Sequence, residues 1–79
     1  MQDYYTDAHR LAARLDEEGF AAEAEQLRDA IRSGSTSTEI LMRLRWELAH
    51  LSKSALVLTP SLRRDAANLE HAVGSALRP

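Results

Sequence analysis

Apolar residues recur along this chain at helical steps. Tyr4, Ala8, Leu11 and Leu15 follow one another at intervals of four, three and four, which gathers them on one face of a helix. Phe20, Ala24, Leu27 and Ile31 repeat the pattern, Leu41, Leu44, Leu48, Leu51 and Ala55 form a third seam, and Leu62, Ala66, Leu69, Val73 and Ala76 form a fourth. These seams predict four helices over residues 3–18, 20–33, 37–55 and 60–77.

The residues between the seams supply starts and stops. Gly19 after the first seam suits a left-handed helix end, which would make Leu15 and Phe20 the two positions whose side chains meet across a Schellman turn. Ser33-Gly34-Ser35 closes the second helix. Thr36-Ser37-Thr38-Glu39 has the form of a capping box, with Thr36 accepting from the Glu39 backbone and Glu39 reaching back to Thr36. Thr59-Pro60 starts the last helix, because threonine caps well and proline fits the first helical position. The one β-like run, Ala55-Leu56-Val57-Leu58, has no second strand to pair with and reads as the end of the third helix followed by a buried connector. The expected fold is therefore all-α: a single-domain four-helix bundle of two α-hairpins, residues 3–33 and 36–77, with the third helix as its spine.

Gly19-Phe20 followed by Ala24, Leu27, Ala30 and Ile31 resembles, locally, the turn and second helix of a tetratricopeptide unit. Leu27 lies three residues after Ala24 where that family places a large residue at four, and no second copy follows about 34 residues later. An ordinary α-hairpin accounts for the segment.

Composition adds constraints more than clues. The 79 residues are 44% hydrophobic and 28% charged, an ordinary globular balance. A core of this size supplies only about 3–5 kcal/mol, so self-association or a partner would be a natural supplement. The absence of cysteine removes disulfides and thiolate metal sites and suits a reducing cytoplasm. With no signal-like N-terminus and no long apolar run, the expectation is a soluble, cytoplasmic protein away from the membrane. Charge is uneven: residues 1–34 hold four arginines and eight acids, and residues 35–79 hold six Lys/Arg and four acids.

Candidate chemistry is sparse. Glu47-Leu48-Ala49-His50 has the Glu-x-x-His spacing of di-iron helical bundles, but it occurs once, beside the leucine seam, and reads as a solvated flank. His9 and His71 are isolated, and the serines and threonines fall where helix ends need hydroxyls. No catalytic set, metal site, cofactor or small-molecule substrate is expected. Arg43, Arg45, Arg63 and Arg64 permit an alternative, a nucleic-acid-associated regulator with a helix-turn-helix-like second half. The acidic chain and the Leu56-Val57-Leu58 break weigh against it.

The remaining anomaly is on helix three. Met42, Trp46, Ala49 and Lys53 lie opposite the leucine seam, with Arg45 between the two faces. Either that helix is packed on both sides, with Trp46 in the core, or the second stripe meets another molecule. The functional expectation is a non-enzymatic interaction module, such as a small bacterial regulator, a toxin-neutralising partner or an assembly subunit. It would bind another protein or a second copy of itself through Met42, Arg45, Trp46, Ala49 and Lys53. The helical seams carry the simplest test: far-ultraviolet circular dichroism should show the double minimum of an α-helical protein, and a single β-type minimum would overturn the assignment.

Overall fold

A computed structural model of the chain describes residues 3–54 and 57–78. It contains four α-helices: α1 (Tyr4–Glu17), α2 (Ala21–Ser33), α3 (Ser37–Lys53) and α4 (Pro60–Leu77). Each helix packs on two others, α1 on α2 and α4, and α3 on α2 and α4, so the four close into a ring. Polar contacts fix the directions. Arg14, near the end of α1, meets Ser61 and Asp65 at the start of α4. Arg63, also at the start of α4, donates to the carbonyl of Ser52 near the end of α3. Both α1 and α3 therefore run against α4, the up-down-up-down arrangement of a four-helix bundle. Helix α3, the expected spine, packs between α2 and α4 as one stave of the four.

Leucine and alanine make the core. Ala8, Leu11, Ala12 and Leu15 of α1 meet Ala24, Leu27 and Ala30 of α2, Leu44, Leu48 and Leu51 of α3, and Leu62, Ala66, Leu69 and Val73 of α4. Leu58, from the connector before α4, is buried with them. Larger residues, Tyr4, Tyr5, Phe20, Ile31, Ile40, Leu41 and Leu77, lie half-buried around this centre. The fourth seam differs from expectation in its last turn, where Ala76 is exposed and Leu77 packs inward instead. Leu77 follows Val73 by four residues, so it continues the buried face. Ala55, expected on the third seam, lies outside the described residues.

The helix ends show why the chain turns where it does. At Gly19 the backbone takes φ +91°, with the Phe20 N–H donating to the Leu15 carbonyl at 2.8 Å and the Gly19 N–H to the Asp16 carbonyl at 3.2 Å. This is the Schellman pair of hydrogen bonds, with the roles read from the sequence. Phe20 becomes the N-cap of α2 without a capping side chain, since its ring is packed against the core. Asp3 caps α1, Thr36 caps α3 and Thr59 caps α4, each accepting from a first-turn backbone N–H. The capping box at Thr36 is altered on its return leg, where the Glu39 carboxylate accepts from the Ser35 N–H at 3.1 Å rather than from Thr36. Asp3 also accepts from the Thr6 hydroxyl, and these hydrogen bonds to the charged form hold its carboxyl below the usual range.

Two glycines are required for different reasons, which separates their expected variants. A Cβ at Gly19 would meet nothing within 4 Å, so the cost there is the left-handed backbone alone. Gly34 has ordinary extended geometry, but a Cβ would collide with Ile40 Cγ1 and stand 3.1 Å from the Ile40 nitrogen. Gly19→Val should therefore lower stability by about 1 kcal/mol or more, roughly 4–8 °C in Tm per kcal/mol for a domain of this size. Gly19→Asn should lose less, because asparagine tolerates the left-handed region. Thermal denaturation of the pair checks this, and equal losses would remove the conformational explanation. Gly34→Ala should also destabilise, through displacement of Ile40.

Candidate interaction surface

With its core seam centred on Leu44, Leu48 and Leu51, α3 has two flanks and an outward face. On the α4 flank, Ser52 donates to Glu70 at 3.2 Å and accepts from Arg63 through its backbone carbonyl. Arg45 leans the same way: a Cβ added at Gly74 of α4 would lie 3.5 Å from its Nε. Gly74 is buried, so the guanidinium covers a place where α4 has no side chain. Arg45 shares a surface depression with Ala67, Glu70, His71, Gly74 and Arg78.

The outward face carries the second apolar stripe. Met42 and Trp46 are 59% and 58% exposed, so neither belongs to the intramolecular core. Lys53 is exposed and Ala49 half-buried on the same side. His50, one turn after Trp46, stacks on the indole with ring centroids 4.3 Å apart and a tilt of 32°. Trp46, Ala49, His50, Lys53 and Ser54 line an open depression. The five residues singled out from sequence thus share one side of the molecule, with Arg45 at its α4 margin. His50 joins them, and its i+4 spacing from Trp46 was the available signal.

Glu47 corrects the expectation of a solvated flank. It is only 8% exposed, on the side of α3 that packs against α2. Burial pushes its carboxyl above the usual range, opposed by the positive charge of Arg43 and by His50, and reinforced by Asp29 of α2. No side-chain oxygen is fully enclosed without a partner among the described residues, so the carboxylate retains water at its edge. Glu47 and His50 do not join a group of three metal-ligating side chains among the described residues. His9 and His71 are exposed.

The four arginines of the helix-turn-helix reading are divided. Arg63 turns onto the end of α3, 2.9 Å from the Ser52 carbonyl, and Arg45 lies over Gly74. Arg43 and Arg64 are exposed. A groove between α1 and α4, lined by Asp7, Arg10, Leu11, Arg14, Asp65, Asn68 and Leu69, was not foreseen. Its existence depends on α4 closing the ring against α1, which no local pattern encodes. No helix among the described residues is long and apolar enough to cross a membrane.

No protein-family model matches the chain, and neither a curated protein nor a solved structure is similar to it.

The buried carboxyl gives a signed pH dependence. Because the native state raises the pKa of Glu47, it holds that proton more tightly than the unfolded chain does, and stability falls as pH rises up to the raised value. Ionised Glu47 therefore opposes folding at neutral pH. Glu47→Gln should raise the urea midpoint at pH 7, and the advantage should shrink on acidification towards about pH 4, near the ordinary glutamate pKa. A variant less stable than the parent at pH 7 would show that attraction to Arg43 and His50 outweighs desolvation.

Proposed function

We propose that this protein is a small non-enzymatic interaction module that binds another protein through the outward face of α3. The observation that carries this is the exposure of Met42 and Trp46, one turn apart on a face that no other helix of the chain covers. Apolar surface left in water forgoes roughly 25 cal/mol for each Å² that a partner could cover. Tryptophan, methionine and arginine are also the residue types enriched at binding surfaces. Trp46 and Met42 act as the anchors, Ala49 gives the indole's neighbour room to approach, and Arg45 and Lys53 form the polar surround. A regulator, a toxin-neutralising partner or an assembly subunit would each work this way, in the cytoplasm of a bacterial cell.

The test is Trp46→Ala, compared with Gln26→Ala on the exposed side of α2. Since Trp46 is more than half exposed, its truncation should leave helicity and the denaturation midpoint within about 0.5 kcal/mol of the parent. A protein captured by the parent should bind the Trp46 variant more weakly by about 2 kcal/mol or more, roughly 30-fold, and the Gln26 variant unchanged. An unfolded Trp46→Ala monomer, or capture insensitive to the substitution, would overturn the assignment.

A further inference from the structure

The two halves of the bundle treat their cations differently. Six ion pairs take their cations from Arg10, Arg14, Arg28 and Arg32, on α1 and α2. Arg14 reaches Asp65 of α4 and Arg28 reaches Asp16 of α1, while Arg32 holds Glu25 and Asp29 on its own helix. Arg43, Arg45, Lys53, Arg64 and Arg78 take part in none of these pairs, and all five are exposed.

Their placement is not scattered. Arg43 and Arg45 lie on opposite flanks of the Met42–Trp46 stripe, and Lys53 ends it two turns on. Arg78 lines the same depression as Arg45, and Arg64 precedes Ala67 and His71 of that depression on one face of α4. The acids nearby are fewer than the cations, though Glu39 and Glu70 keep their charge. Glu70 accepts from Ser52, Glu39 accepts from Ser35, and Glu47 is buried on the α2 side. The apolar anchors thus sit on a face where positive charge exceeds negative.

Resting on the reading of α3 as the binding face, we infer that its partner is an acidic amphipathic helix of a different protein, which lays apolar side chains on Met42 and Trp46 and carboxylates against Arg43, Arg45 and Lys53. A helix seated on a helix presents one apolar stripe with a polar flank on each side, the same pattern that α3 offers, with the sign of the flanks reversed. A second copy joined face to face would instead bring two sets of Arg43, Arg45 and Lys53 together, within the roughly 8 Å over which charges interact at physiological salt. Like-charge contact of that kind opposes binding. A phosphate backbone would meet the cations but leave Met42 facing a polar chain. Complementarity in both charge and apolarity favours the acidic helix.

The experiment uses three labelled synthetic helices followed by fluorescence anisotropy, with Trp46, the only tryptophan, as a second reporter. One peptide carries a leucine stripe flanked by glutamates, the second the same stripe flanked by lysines, and the third glutamates with alanine in place of leucine. The first should bind and shift Trp46 emission to the blue, and the other two should bind at least about tenfold more weakly. Its affinity should fall as salt is raised from about 50 to 200 mM. Arg43→Gln, Arg45→Gln and Lys53→Gln combined should abolish the preference for the glutamate-flanked over the lysine-flanked peptide, with a helical circular dichroism spectrum retained. Equal binding of the first two peptides, or binding indifferent to salt, would overturn the acidic partner while leaving α3 as the binding face. Binding unaffected by Trp46→Ala would instead remove that face itself. Tighter binding of a single-stranded oligonucleotide than of any peptide would assign the cations to phosphate, and Trp46-dependent self-association in sedimentation velocity would assign the face to a second copy. Absence of binding by all three peptides at millimolar concentration would remove the helical partner.

Discussion

Everything in this bundle depends on the close approach of four narrow stripes of leucine and alanine. Ala8 and Ala12 on α1, Ala24 and Ala30 on α2, and Ala66 on α4 alternate with leucines, so large side chains interdigitate with small ones and leave no space for an aromatic ring. The consequence reaches the surface. The aromatic residues Tyr4, Tyr5 and Phe20 are pushed to the fringe, and Trp46, on the far side of α3 from Leu44 and Leu48, faces out altogether. Admitting an indole to such a centre would overpack it, at a typical cost of about 1–3 kcal/mol.

The same packing sorts the charges. Because α1 closes the ring against α4, Arg14 is brought to Asp65 and Ser61, and the tight Gly19 turn brings Arg28 of α2 to Asp16 of α1. The cations of α1 and α2 are therefore all drawn into ion pairs, Arg14 with α4 and the others within the hairpin, helped by the i, i+3 pair of Arg32 with Asp29. Exposed pairs of this kind contribute little stability. Their effect is to engage the cations of α1 and α2 on a side where acids are in excess, while the remaining cations lie on α3 and α4 or at the end of the chain.

Much of this was legible in the order of residues. Local chemistry determines the Schellman turn, since only a left-handed glycine lets Leu15 and Phe20 meet, and that feature appears with its anticipated bonds. The Thr59-Pro60 start and the placement of Met42 and Trp46 opposite the leucine seam follow from rules of the same short range. Errors arise where a neighbour decides. Glu47 is buried because α2 lies along that flank of α3, and a helical wheel gives an angle without saying what stands there. Leu77 rather than Ala76 packs inward because α4 continues its four-residue step past Val73. Trp46 had two readings for the same reason: periodicity places it opposite the seam, but only the ring of helices shows that, among the described residues, no other helix covers it.

The asymmetry of α3 ties these strands together. Its α2 flank buries a carboxylate with a raised pKa, its α4 flank lays Arg45 over Gly74, and its outward face joins Trp46 to His50. A helix needed only to fill a bundle would carry polar residues on all but its core stripe, as α2 does with Glu25, Asp29 and Arg32. On α3 the middle of the outward ridge is given to Met42 and Trp46, with Lys53 at its end. Helicity requires neither choice, since arginine and glutamate form helices at least as well as tryptophan. Folding does not explain them either, because both side chains remain largely in water after the bundle has closed. The contact we propose, made after folding, would account for the arrangement: the flanking cations would guide an oppositely charged surface and the ridge would hold it.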